Sequence, residues 1–411
     1  MAETTTATVA TVTGLMSDIA ATGADPLRGG YTRPVYSTAE LDLREWFINQ
    51  ATRRGLSVET DRNGAIWAWW DVPGGDRSNS LVTGSHLDSV PGGGPFDGPL
   101  GVASALVAVD ILKARITTRT RPLAVVVFPE EEGSRFGVAC LGSRLMTGAI
   151  DPDKARNLRD TDGNTFADVA RANGLDPHHL GKDEQLLGQI GAFVELHVEQ
   201  GRGLIDLGRP IAVASSILGH GRWRLSINGQ GNHAGTTLMA DRRDPMIAAS
   251  RTVVAIRDTA RHQPHTRATV GRLQPVPGGT NVIASRVDFW LDVRHPDDAV
   301  TASLVESIHT QAQLIAAEEG CTVELTEESL SPTVHFDPGL QQQLQHALPD
   351  APILDTGAGH DAGVLSPFVP TAMLFVRNPS GISHSPEEHV LDEDAETGAQ
   401  TLADALAALM A

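Results

Sequence analysis

The stretch LVTGSHLDSVPGGGPFDGPLG, residues 81–101, decides how the rest of the chain is read. An apolar run ends in His86, Asp88 and a crowd of glycines, and a helical pattern follows. Two readings compete: a glycine loop that cradles a phosphate at a helix N-terminus, or a strand end that delivers metal ligands. A dinucleotide loop needs the spacing G-x-G-x-x-G. Here the loop runs Gly92-Gly93-Gly94-Pro95-Phe96-Asp97-Gly98, which lacks that spacing and sets an acid where pyrophosphate would lie. Asp97 repels a phosphate unless a metal intervenes, so the metal reading is preferred.

The neighbouring segments give the loop its setting. Residues 101–115, GVASALVAVDILKAR, carry the 3.6-residue apolar spacing of a helix. Residues 121–132, RPLAVVVFPEEE, are a short apolar run ending in carboxylates, which reads as a buried strand. Strand, helix and strand with short links make a βαβ unit, whose two strands lie parallel. Sites in such sheets collect at the carboxyl ends of strands, where His86 and Glu130–Glu132 both fall. Residues 14–56 read as helices around the Gly29-Gly30 turn, and 65–72 as a further strand. In the middle, residues 222–230, 267–276 and 286–295 alternate like half-buried strands, 244–260 and 297–320 read as helices, and CTVELTEES as a strand. Residues 370–378 and a helix at 392–410 then resume the first style. The expectation is an α/β fold: a catalytic domain (1–215 and 331–411) with a mixed, mainly parallel sheet flanked by helices, and an inserted α+β domain (216–330) with helices layered on one sheet face.

Composition narrows the function. The 411 residues carry 32 Lys and Arg against 51 Asp and Glu, a formal charge of −19. That argues against nucleic acid and anionic membranes as partners. No apolar run approaches the roughly 18 residues of a membrane span, and the N-terminus shows no basic segment followed by an apolar one, so no signal peptide is read. Two cysteines, Cys140 and Cys321, cannot build a disulfide framework. Free thiols and a cytoplasmic location are expected.

The polar residues at apolar strand ends are His86, Asp88, Asp97, Glu130, Glu131, Glu132, His197 and His384. Each alone has a bland reading: a core histidine, a solvated acidic run, a turn. Together they read differently. His86 and Asp88 on one strand would share a face, and a metal-bound imidazole takes a carboxylate on its other ring nitrogen, for which Asp88 is the candidate. Three carboxylates after a buried strand repel one another and need a cation or a raised pKa. A divalent ion supplies the cation and leaves a neighbouring carboxylate free as general base. No H-E-x-x-H, G-x-S-x-G or Walker loop is present.

The motifs GSHLDSVPGGGPFDGPLGV, EEEGSRF, ELHVEQG, GNHAGTT, NVI…LDVRHP and GAGHDA…ISHSPEE, in that order across residues 30–410, are those of a known family. The chain resembles the dinuclear metal amidohydrolases of the M20 peptidase superfamily, in the branch of N-carbamoyl-L-amino-acid amidohydrolases, β-ureidopropionases and allantoate amidohydrolases. The resemblance implies two divalent ions per subunit, of Zn, Mn, Co or Ni. His86 and His197 would hold one ion, Glu132 and His384 the other, and Asp97 would bridge both. Glu131 would be the general acid/base acting on a metal-bridging water. Gln200, Arg222, Asn281, Arg294 and Gly359 match positions that bind the small carboxylate substrate. His233 matches the histidine that stabilises the tetrahedral state, lent by the partner subunit of a homodimer formed through the inserted lid domain. Two places depart from the family pattern: Leu238 stands where Pro is usual after HAGTT, and RRDPM replaces a commoner Arg-x-Asp-Ala. The expected reaction is hydrolysis of a linear ureido or amide C–N bond, in allantoate or an N-carbamoyl-L-amino acid. The alternatives are an N-formyl- or N-acyl-amino-acid amidohydrolase and a non-catalytic binding protein of the same fold.

Overall fold

The computed structural model describes residues 10–410. The strands before the middle segment are β1 (Ser57–Thr60), β2 (Ile66–Trp70), β3 (Ser80–His86), β4 (Leu123–Phe128), β5 (Ile190–Val198) and β6 (Ile211–Ile217). The middle segment adds β7 (Gly219–Asn228), β8 (Asn232–His233), β9 (Arg267–Val276), β10 (Val282–Ile283), β11 (Arg286–His295) and β12 (Thr322–Ser331). The last part holds β13 (Val334–His335), β14 (Ile353–Thr356) and β15 (Thr371–Val376).

The chain divides into two compact units, one running up to Ser215 and resuming at His335, the other Ser216–Val334. The first is built on a mixed sheet in the order β1-β2-β4-β3-β5-β15-β6-β13, with β14 beside β6. Its centre, β4-β3-β5-β15, is parallel, while β2 and β6 run antiparallel to it. β3, β4 and β15 are buried at every position. That is why LAVVVF in β4 and AMLFV in β15 are continuous apolar runs rather than alternating ones: both faces of a central parallel strand are covered. Leu123, Val125 and Val127 of β4 face a core shared with the helices Val12–Asp18, Pro99–Arg115 and Asp392–Met410. Phe128 points the other way and meets Phe193 and Trp67 edge-on. The helix between β3 and β4 starts at Pro99, a residue whose fixed φ suits the first turn. It is buried at every position from Pro99 to Val109, so the expected amphipathic stripe is a nearly all-round apolar surface.

The second unit is an antiparallel sheet, β12-β7-β11-β9, with a small β10-β8 ladder. Its strands alternate, as a sheet with one packed face must. Leu225 and Ile227 on β7 and Val287, Phe289, Leu291 and Val293 on β11 pack against the helices Pro245–His262 and Asp298–Glu318. Asp244 and Asp297 cap those helices by accepting from Met246 N and Ala299 N. No described helix is long and apolar enough to cross a membrane.

Candidate metal centre

Register explains how residues distant in sequence meet. His86 ends β3 directly opposite Phe128, the last residue of β4, and His197 lies one residue before the end of the adjacent strand β5. The carboxyl ends of three parallel neighbours therefore supply two imidazoles and the turn Glu130-Glu131-Glu132. Asp97 comes from the loop between β3 and its helix. Gly98 has φ +86°, and a Cβ there would stand 2.5 Å from the His86 ring, so only glycine lets the loop pass this close. Gly98 thus serves backbone approach to a histidine, and Gly94 approach to Glu388, 2.3 Å from where a Cβ would stand. The loop is also pinned from the far end of the chain: the buried Glu388 carboxylate accepts from Phe96 N at 2.9 Å and Asp97 N at 3.0 Å.

Two groups of ligand-type atoms result, each with its members within 4.8 Å of one another: His86, Asp97 and His197, and Asp97, Glu132 and His384. Asp97 belongs to both. Its Oδ1 faces His197 Nε2 at 3.2 Å and His86 Nε2 at 3.6 Å, and its Oδ2 faces His384 Nε2 at 3.3 Å. Glu132 Oε2 is 3.3 Å from His384 Nε2. A third cluster joins Glu195, His197 and His360.

The three consecutive glutamates have three different surroundings. Glu130, held at φ +55°, turns away and accepts from Arg135 N at 3.0 Å and Phe136 N at 2.6 Å. Glu131 places Oε2 3.8 Å from His86 Nε2, and the Cys140 thiol donates to its Oε1 at 3.4 Å. Glu132 faces His384.

Asp88 behaves differently from the sequence expectation. β3 ends at His86, so Asp88 lies past the strand rather than on one face with it. The Nδ1 of His86 meets the Asp88 backbone carbonyl at 3.0 Å, while the carboxylate is 3.7 Å away. That carboxylate accepts instead from Glu131 N at 3.2 Å and Glu132 N at 3.1 Å. A backbone carbonyl orients the imidazole, and the freed side chain fixes the acidic turn.

Electrostatically the cluster is short of positive charge. Burial, then the charges of Asp361, Glu132 and Asp97, raise Glu131 well above the carboxylate range despite His86. Burial and Asp97 push Glu132 up to about 7. Hydrogen bonding to Asp97 pushes His384 up to about 9 against burial. Burial disfavours the Asp97 anion, yet the facing imidazoles of His197, His384 and His86 hold it well below its usual range. Meanwhile His86 Nε2, His197 Nε2 and Glu132 Oε1 are buried without hydrogen-bond partners. Unsatisfied buried polar atoms cost about 1–3 kcal/mol each, and clustered carboxylates cost more. Divalent ions answer both deficits, and N/O donors without a thiolate ligand suit Zn, Mn, Co or Ni. The residues present fit such ions.

The other motif residues fall into two sets. In the first unit, Gln200 Nε2 donates to Asp97 Oδ2 at 2.8 Å and Ser383 Oγ at 3.1 Å, and Gly359 stands in open space, where a Cβ would meet nothing within 4 Å. In the second unit, Arg222 and Arg294 both reach Asp292, at 3.4 and 2.9 Å. His233 ends β8 opposite Val282, and the Asn281 carbonyl accepts from Ala234 N.

Sequence reasoning passed over an inner layer. The buried His360 ring lies 4.4 Å from that of His197, with its Nε2 unpartnered. Asp361, pushed up to about 8 by burial and Glu195, accepts from Ser143 Oγ at 2.5 Å. Glu195 accepts from Ser85 Oγ at 2.8 Å and Ala362 N at 3.0 Å. The polar pair His360-Asp361 inside GAGHDA was the available signal.

The model of peptidase family M20/M25/M40 matches residues 82–408. The chain is 38% identical over 380 residues to the N-carbamoyl-L-amino acid amidohydrolase of Geobacillus stearothermophilus, covering 91% of this chain and 92% of the relative. It is 34% identical over 388 residues to the allantoate amidohydrolase of Escherichia coli K12, covering 93% of each. Among solved structures, a hydantoinase/carbamoylase family amidase from Burkholderia multivorans superposes with TM-score 0.85 at 33% identity over 96% of both chains.

Proposed function

The chain belongs to peptidase family M20/M25/M40, and from that premise we propose that it is a metal-dependent amidohydrolase. It hydrolyses a linear ureido or amide C–N bond in a small carboxylate-bearing substrate, an N-carbamoyl-L-amino acid or allantoate. The observation that carries this reading is the position of Asp97, one buried carboxylate shared by two donor groups, with Glu131 beside them.

His86, Asp97 and His197 would hold one divalent ion, and Asp97, Glu132 and His384 the other. Such ions supply Lewis acidity to the scissile carbonyl and to water. Glu131 takes the proton from the attacking water and returns it to the leaving nitrogen, which is general acid–base catalysis by one carboxyl. Its burial favours the protonated form between those two transfers. Asp88 keeps Glu131 in place through the backbone amide. Arg222, Asn281 and Arg294 bind the substrate carboxylate, the guanidinium groups through paired N–H donors, and Gln200 and Gly359 line the remainder. The partner subunit's His233 donates to the oxyanion of the tetrahedral state, which makes the working form a homodimer. The inserted unit is the lid and dimerisation domain, and the enzyme works in the cytoplasm.

The test is ammonia release by metal-loaded enzyme from allantoate, several N-carbamoyl-L-amino acids and β-ureidopropionate, with amine release from N-formyl amino acids run in parallel. Turnover of a ureido substrate that stops on chelation and returns with added metal is the expected result. Full activity after chelation, with metal shown to be absent, would sink the reading.

A further inference from the structure

Beside the metal centre stands a cation that the proposed chemistry does not use. Arg202 follows Gln200 by two residues, so their Cα atoms are within about 7 Å. Gln200 itself touches Asp97 and Ser383. The turn that carries Arg202 is rigid: the Glu199 carboxylate accepts from Gly203 N at 2.6 Å and Leu204 N at 2.9 Å. The facing turn is rigid too. The buried Asn378 accepts through Oδ1 from Ser380 N at 3.0 Å and Gly381 N at 3.1 Å, and its Nδ2 donates to Ile382 O at 2.8 Å.

The Arg202 stem lies across Gly381, three residues before His384. A Cβ on Gly381 would stand 2.5 Å from Arg202 Cγ and 3.3 Å from Cδ, and φ there is +65°. Glycine at 381 therefore makes room for the stem of this side chain, three residues from His384. Among the described residues the guanidinium has no hydrogen bond and no ion pair, and Arg202 is exposed. The acids nearest in sequence do not take it: Glu199 is committed to the turn, and Asp206 contributes its amide to the Arg202 carbonyl. In a chain of charge −19, a cation left unpaired at the rim of an acidic centre is open to an anionic ligand.

We propose that Arg202 is a specificity-determining residue that binds a second anionic group of the substrate, so that the preferred substrates are N-carbamoyl derivatives of acidic amino acids. The inference rests on the amidohydrolase reading. One carboxylate of the substrate is met by the machinery common to all N-carbamoyl amino acids, and the side-chain carboxylate meets Arg202. A guanidinium suits this role because its fork grips a carboxylate bidentately.

The experiment compares metal-loaded wild type with Arg202→Ala and Arg202→Lys on N-carbamoyl-L-aspartate and N-carbamoyl-L-glutamate against N-carbamoyl-L-alanine and N-carbamoyl-L-leucine. The ratio of kcat/KM, acidic over neutral, should fall about tenfold in Arg202→Ala, through KM rather than kcat, for loss of one charge-assisted contact. Arg202→Lys should recover part of the ratio. An unchanged ratio overturns the inference, and so does an equal loss on both substrate classes, which would assign Arg202 to the common carboxylate. Calorimetry of L-glutamate and L-leucine binding to the same proteins reads the cation without turnover: glutamate binding should weaken in Arg202→Ala and leucine binding should not. If wild type cleaves no N-carbamoyl substrate, the proposed reaction fails and the calorimetric difference alone decides Arg202.

Discussion

The strand ends of the first unit and the open sheet face of the second carry their polar residues on opposite terms. His86, His197, Asp97 and Glu131 are buried at the carboxyl ends of the central parallel strands. Arg222 and His233 are exposed, and Arg294 is half-buried beside Asp292 on its own strand. A buried polar atom must be satisfied by something, so the unpartnered nitrogens of His86 and His197 speak for a ligand. The Arg222 and Arg294 guanidinium groups instead meet Asp292 on a solvent-facing sheet surface, so their surroundings show no deficit that a ligand must fill. The metal centre is therefore legible from physics, whereas the substrate-binding roles on the second sheet rest on motif position. The comparison also forecasts where substitutions hurt: buried groups held by several fixed partners should be intolerant, and exposed ones should act only through the ligand they meet.

The sharpest test of the buried side is Asp97→Ala. It removes the carboxylate common to both donor groups, so metal analysis should show loss of both ions and turnover should fall at least about a thousandfold. Retention of two ions would show that Asp97 does not join the groups.

Glu131→Gln comes next. Metal content should stay and the rate should fall by about two to four orders of magnitude. His233→Ala, on the exposed side, should cost about two to three orders of magnitude, as for an oxyanion donor. So large an effect from an exposed residue would break the simple contrast and require that His233 meet the substrate during turnover. Mixing the two inactive variants under subunit exchange decides the matter. One site of each mixed dimer combines intact Glu131 with the partner's intact His233, so activity should return to at most about half of wild type per mixed dimer. No recovery, with heterodimers demonstrated, would confine His233 to its own chain or remove it from the mechanism.

Asp88→Asn sharpens the comparison within the buried side. Its carboxylate holds two backbone amides and not the imidazole. Metal affinity should weaken about 10- to 100-fold, the usual range for a group that supports a ligand, as read by competition with a chelator. The smallest effect is expected for Arg222→Ala. KM should rise about tenfold with kcat retained, and Tm should hardly move, because a surface change far from the core shifts stability by less than about 0.5 kcal/mol.

Periodicity and composition made much of the architecture readable. The run LAVVVF reads as a buried strand, and β3, the Pro99–Arg115 helix and β4 do form a parallel pair with its crossover. β9 and β11 begin and end where alternation begins and ends. Residues 133–189 carried no such pattern. They fold into short helices, Leu141–Thr147 and Phe166–Ala172 among them, each too short to show an apolar repeat.

By itself the sequence determined which residue types arrive at the strand ends, because strand length and the placing of glycine are local properties written in side-chain volume and backbone freedom. Only the tertiary structure decided what each of those residues faces. EEE is one tripeptide, yet Glu130 caps a turn, Glu131 meets His86 and a thiol, and Glu132 meets His384. Asp88 gave its place at the imidazole to its own backbone carbonyl once β3 stopped at His86. The His360 ring lies 4.4 Å from that of His197 although 163 positions separate them in the chain. Such choices depend on strand register and on loops crossing from distant parts of the chain, and hydrogen-bond geometry, which falls off within about an ångström, then selects one partner among several that the sequence leaves equal.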